Sequence, residues 1–269
     1  MIWLNAYFLA DMSPFMIKVI LIIFCFIVAS AGIKHMAIAS GFILPTVMIL
    51  GFFIAFTNTN IKEPSYLLPV LSQGYMPIVK GIVYTLSGVL EIFIVILLQP
   101  FSQKPIKFYQ LFILFAILFG LILGPLTAAI MEFGPTEAAN FRYPAYEQWR
   151  VLNIGEYISH LDFFALYQWL SGACIRIGLF IYLIGTFFTS KKKHHQINPV
   201  VIGTICLTLF GLMLINVETY YFYRFIHNYF LPACMVFFLF QIIVAALIVL
   251  IWKKRIEQHG KNNNSESSM

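Results

Sequence analysis

Residues 132–162 read EFGPTEAANFRYPAYEQWRVLNIGEYISHLD, the one long run in the 269-residue chain that a lipid bilayer core could not accept bare. It carries five of the eleven acids, Glu132, Glu137, Glu147, Glu156 and Asp162, with Arg142 and Arg150 among them, and its flanks are almost wholly apolar. A charged side chain in hydrocarbon costs at least about 2.5 kcal/mol unless it is paired or hydrated. The run therefore belongs at a membrane surface, as a structured loop between two membrane helices.

Working outward, the composition agrees with this placement. The chain is 61% hydrophobic and only 10% charged, with a mean hydropathy of +0.87, whereas about a quarter of the residues in a soluble domain are charged. An ordinary soluble domain is excluded, and an all-α polytopic membrane protein is expected. A crossing helix needs about 20 apolar residues, and seven candidate spans are present, at 14–33, 36–57, 77–99, 108–131, 161–189, 197–216 and 228–252. Residues 1–257 form one integral membrane domain, with a loop over 132–160, and the polar residues 258–269 read as a disordered cytoplasmic tail.

Orientation follows from the basic residues. Lys34, Lys104, Lys107, Lys191 to Lys193, Lys253, Lys254, Arg255 and Lys261 fall on one side, ten in all, against Lys62, Arg142, Arg150 and Arg224 on the other. The richer side is cytoplasmic, so the C-terminus is inside, while Met1 and the loop are outside. The net charge of +6 thus marks topology and not a nucleic-acid face. MIWLNAYFLADMSP has neither a positively charged leader nor a small-residue cleavage site, so it does not read as a signal peptide. Cys25, Cys174, Cys206 and Cys234 lie inside spans without CxxC or Cys/His spacing, and are expected as free thiols with no metal. His194 and His195 follow three lysines in a solvated basic loop. No GxSxG, HExxH or glycine-rich phosphate loop is present, so neither an enzyme nor a cofactor is expected.

Polar groups inside the spans are the functional candidates. The third span holds Tyr84, Ser87, Gly88 and Glu91 in its middle. Serine and glycine there permit close helix packing. They equally permit a broken helix whose freed backbone groups meet a substrate, with Glu91 facing the cavity. Arg176 lies near the centre of the fifth span and needs carbonyls, water or an acid, with Glu91 and Asp162 nearest in depth. In the loop, Glu137, Arg142, Pro144, Tyr146, Glu147 and Arg150 form either a segment pinned by its own ion pairs or a gate over the cavity. Glu147 and Arg150 stand at i, i+3, a spacing that allows contact on a helix, and Pro144 disfavours helix just before it. Tyr220, Tyr221, Phe222 and Tyr223, after Glu218, read as an interfacial aromatic belt.

The run GPTEAANFRYPAYEQWRVLNIGEYISHLD resembles the segment between the seventh and eighth helices of spore germination receptor B subunits, permease-like proteins of endospore-forming bacteria. NAYFLADMSPFMIKVILIIFCFIVASAGIKHMAIAS resembles the end of their third helix and their fourth. The resemblance implies a ten-helix, inverted-repeat fold of the LeuT-like kind, within the amino acid, polyamine and organocation transporter superfamily. The seven spans then match the fourth to tenth helices, and about the first three are lacking. The third span aligns with the broken sixth helix, which implies ligand binding at Tyr84, Ser87, Gly88 and Glu91. The implied function is a germinant receptor B subunit in the spore inner membrane, sensing a small nutrient such as an amino acid with an A subunit and a lipoprotein C subunit. Two alternatives stand beside it. One is an amino acid secondary transporter. The other is a truncated remnant without a ligand, since the first helix contributes half of such a pocket.

Overall fold

The structure, a computed structural model, describes residues 8, 9, 11–71, 74–153, 161–189, 197–215 and 217–266. Glu156, Lys191 to Lys193, His194, His195 and residues 267–269 of the tail lie outside the described residues. Among the described residues all regular elements are helical, as a bilayer demands, because a helix satisfies its backbone groups within one segment.

Helix α1 (Pro14–Ala31) begins on a proline, whose missing N–H costs nothing in the first turn. It is separated from α2 (Ile33–Thr57) by Gly32 alone, at φ 83°, a left-handed conformation that favours glycine. Helix α3 (Met76–Val89) passes through a 3₁₀ turn (Leu90–Phe93) into α4 (Ile94–Leu98). Helix α5 (Phe108–Asn140) is interrupted at Gly134, and α6 (Pro144–Arg150) is short. Helices α7 (Phe163–Phe187) and α8 (Pro199–Leu214) follow, then α9 (Thr219–Phe225), a π turn (Ile226–Phe230) and α10 (Leu231–Glu266). The backbone of α10 runs helically to Glu266, through most of the segment expected as a disordered tail. Extending a formed helix requires no new nucleus.

Six helical stretches among the described residues are long and apolar enough to cross a membrane: Pro14–Ala31, Ile33–Ile61, Met76–Phe101, Phe108–Asn140, Phe163–Phe187 and Thr219–Val249. Helix α8 is apolar but only 16 residues long. Large side chains such as Phe24, Phe42 and Phe52 are exposed along these helices, as expected where the solvent is lipid. The protein is an all-α polytopic membrane protein.

Two compact units are present, residues 1–70 with 116–216, and 71–115 with 217–269. In the first, α1 packs on α7 and α8, and α2 on α7. A Cβ at Gly178 would stand 2.6 Å from Cγ1 of Val28, so α7 reaches α1 only because this residue has no side chain. Cys25, Cys174 and Cys206 are buried along these contacts as free thiols. Near the start of α7, the core gathers Ile17, Ile54, Tyr146, Trp149, Leu152 and Ala165. In the second unit, α10 packs on α3 and on the 3₁₀ turn that follows it.

Gly178→Leu is expected to destabilise the first unit by about 1–3 kcal/mol through overpacking, seen as a lower thermal unfolding midpoint in detergent. Gly172→Ala, with nothing within 4 Å of the added methyl, should raise the midpoint slightly, since glycine inside a helix costs about 0.5–1 kcal/mol relative to alanine.

Candidate functional site

In the first unit the polar side chains collect around the interruption of α5. Pro135 has no N–H, so the carbonyl of Met131, four residues earlier, loses its helical donor. The backbone N–H of Glu63 donates to that carbonyl instead, at 2.9 Å. Gly134, at φ 76° and ψ 159°, turns the chain out of the helix, and Pro135 starts it again. Glu132 lies just before this break with its side chain only 1% exposed. A buried carboxylate requires partners. Asn58 supplies one, donating from Nδ2 to Glu132 Oε2 at 3.2 Å and to the Gln148 carbonyl at 3.1 Å. Lys62 supplies the charge, its Nζ 3.7 Å from Glu132 Oε1 and donating also to the Ala55 carbonyl. Gln148 in turn donates from Nε2 to the Pro125 carbonyl at 2.9 Å.

These bonds seat α6. Pro144 occupies its first turn, and Tyr143 before it is non-helical at φ −135° and ψ 68°. Tyr146, Glu147, Gln148 and Trp149 are all buried, with Trp149 set between Phe53 and Phe164 at ring distances of 6.3 and 5.9 Å. Glu147 and Arg150 form the i, i+3 pair at 3.0 Å, with the arginine largely exposed. The Tyr146 hydroxyl donates to Asp162 Oδ2 at 3.1 Å. Burial, reinforced by that carboxylate, pushes the Tyr146 phenol up to about 12, so it remains a donor throughout the physiological range.

Of the residues singled out in the loop, Pro144, Glu147, Arg150 and Asp162 thus converge on α6. Glu137 and Arg142 are exposed, the guanidinium of Arg142 lying 5.4 Å from the Tyr143 ring centroid. Arg176 is exposed on α7. Asp162 precedes that helix and lies about 21 Å from Arg176 along its axis at 1.5 Å per residue, so Asp162 is not its partner.

The second unit holds Tyr84, Ser87, Gly88 and Glu91, which share one face of the α3 helix and its continuation at i, i+3, i+4 and i+7. Ser87 is buried and donates from Oγ to the Tyr84 carbonyl at 2.7 Å. The break expected at Ser87 and Gly88 is not an unwound segment. Regular α-helix continues to Val89, then tightens into the 3₁₀ turn that carries Glu91, whose carbonyl accepts from Ile94 N–H. Tightening changes the helix without releasing backbone groups into an apolar medium. Against this face stands His227 of the π turn, its ring centroid 5.4 Å from that of Tyr84 and nearly perpendicular to it.

Sequence reasoning missed the partners of Glu132 and missed His227. The charge count had assigned Lys62 and the 132–162 run to one side of the membrane, which was the available hint of pairing. His227 falls one residue before the 228–252 span, and only the structure carries the helix back through it to Thr219. Nothing in the sequence marked Asn58 or Gln148.

A membrane-embedded helical chain, with a polar face inside one span and a packed, charged segment between two others, is of the polytopic membrane protein class. The chain belongs to the spore germination protein family, which matches residues 2–219. It is 38% identical over 250 residues to spore germination protein XB of Bacillus anthracis, covering 92% of this chain and 68% of that protein. It is also 28% identical over 153 residues to the putative spore germination protein YfkT of Bacillus subtilis (strain 168), covering 56% of this chain and 41% of that one. The chain thus spans about two thirds of the first relative's length and two fifths of the second's. No solved structure matches it. The protein is a germination-related integral membrane protein.

Lys62→Met should destabilise the first unit by about 3 kcal/mol, since it leaves Glu132 buried without its cation, and adding Glu132→Gln should restore most of the loss. Arg150→Ala should cost no more than about 1 kcal/mol, because its side of the pair is exposed. Thermal unfolding of the three variants beside the wild type in one detergent checks both statements.

Proposed function

We propose that this protein is the B-type subunit of a germinant receptor in the spore inner membrane, sensing a small nutrient, an amino acid, together with an A subunit and a lipoprotein C subunit. The observation that carries this reading is the 38% identity to spore germination protein XB across 92% of the chain. The polar face of α3 supports a ligand site at Tyr84, Ser87, Gly88 and Glu91, because polar groups within a membrane span are retained where they meet a substrate or pathway. The asymmetry of basic residues supports a cytoplasmic C-terminus, with residues 132–162 on the outer side.

In physical terms, the nutrient stabilises one packing of the helices over another, and does so only by the difference in its affinity for the two. The 3₁₀ turn beside Glu91 is suited to that role, since a mid-helix 3₁₀ stretch often marks a hinge. Glu137, Arg142, Pro144, Glu147 and Arg150 serve as the outer gate. The packed α6 supplies its rigid part, and the exposed charges face the incoming zwitterion.

Spores lacking the gene should lose the response to the relevant amino acid and regain it on complementation. Complementation with Glu91→Gln should move the dose curve to about tenfold higher concentration, the scale of one charged hydrogen bond. An unchanged curve removes Glu91 from the site. Stoichiometric uptake of labelled amino acid into vesicles containing this chain alone would replace the receptor reading with a transporter.

A further inference from the structure

The last membrane-length stretch, Thr219–Val249, changes its winding once, in the π turn Ile226–Phe230. Such turns account for well under about 1% of residues and occur frequently at functional sites, where the wider winding re-aims a side chain. The turn carries His227, beside Asn228 and one helical turn after Arg224, ahead of the long apolar run from Phe230. The imidazole ring is held from two sides. Nδ1 is 3.2 Å from the Tyr223 carbonyl, which can only accept, so Nδ1 carries a proton. The Tyr223 ring lies 4.0 Å from it at 33°, and the Tyr84 ring meets it edge-on at 5.4 Å. With Nδ1 committed, Nε2 of the neutral ring is an acceptor, and it is the ring nitrogen left to serve a ligand.

Tyr84 heads the face that continues through Ser87 and Gly88 to Glu91, so contact with Tyr84 sets His227 against that face. What assembles there is suited to a cation: a nitrogen acceptor, the Tyr84 ring 5.4 Å away, and a carboxylate two helical turns along from Tyr84. Arg224, three residues before His227, carries the charge that would attract the opposite end of a zwitterion.

We propose that His227 is a ligand-contacting residue of the nutrient site, accepting through Nε2 a hydrogen bond from the primary ammonium group of the nutrient. This rests on the receptor reading above and deepens it, naming the recognised group and a contact on a second helix. The site recognises the ammonium end first, so an amine that lacks the carboxylate still competes, whereas blocking the nitrogen abolishes recognition.

The test uses spores in which the deletion is complemented by the wild-type chain, by His227→Gln or by His227→Phe. Glutamine keeps an acceptor near the position of Nε2, and phenylalanine keeps only the ring packing. The twenty L-amino acids serve as probes, followed by the N-acetylated and decarboxylated forms of whichever triggers germination. His227→Phe should raise the half-effective concentration about tenfold or more at an unchanged maximal rate, the scale of one hydrogen bond to a charged group. His227→Gln should stay closer to wild type, and the decarboxylated amine should compete while the N-acetyl form does not. Full function in the phenylalanine variant overturns the proposal, and if both variants fail although present at normal level, absence of competition by the amine overturns it. Wild-type spores that answer no amino acid remove the receptor reading itself, and His227's role with it.

Discussion

The carbonyl of Met131 has no donor in its own helix, because the residue four positions on is Pro135. In an apolar medium such a group must be satisfied by another segment, and the Glu63 N–H does so. Much of the first unit depends on that bond. It draws the segment after α2 onto α5, which sets Asn58 and Lys62 beside the buried carboxylate of Glu132. Asn58 then reaches the Gln148 carbonyl and, with the bond from Gln148 to Pro125, ties α6 to both helices. Only a seated α6 can place Tyr146 against Asp162 and Trp149 between Phe53 and Phe164.

Relative magnitudes separate the parts of this arrangement. The Glu147–Arg150 pair is half in solvent and adds about 0–1 kcal/mol. The Lys62–Glu132–Asn58 group is buried, and its contribution is conditional: complete, it roughly repays its own desolvation, but missing one member it strands a charge or a donor. Such a group does little for overall stability and much for uniqueness, since alternative packings of α2, α5 and α6 would leave the carboxylate alone. That is a suitable property for a segment that must hold its shape beside helices expected to move.

The second unit uses a different device. Its helices keep their backbone bonds but change winding, tighter at Leu90–Phe93 and wider at Ile226–Phe230. Both changes alter which way side chains point while the chain stays helical. The polar face of α3 and the histidine opposite it are therefore presented by helices that are irregular yet intact. A helix need not unwind to offer polar groups at depth.

By itself the sequence determined the class of the protein, its family, and where helix gives way to charged surface, because apolar length and charge exclusion are properties of segments alone. It also determined local pairs that depend on spacing: Glu147 with Arg150 is the helical i, i+3 contact, and Pro144 opens α6 as a residue without an N–H can. Tertiary structure decided the rest. Glu132 could be recognised as a charge, but Asn58 and Lys62 as its partners lie seventy or more residues away in the chain, and no periodicity connects them. Tyr84 was legible as a polar residue in an apolar span, and His227 became its neighbour only when the π turn aimed the ring at α3. Partnerships between distant segments are set by which backbone and side-chain groups each fold leaves unsatisfied, and that is known only once the helices are packed.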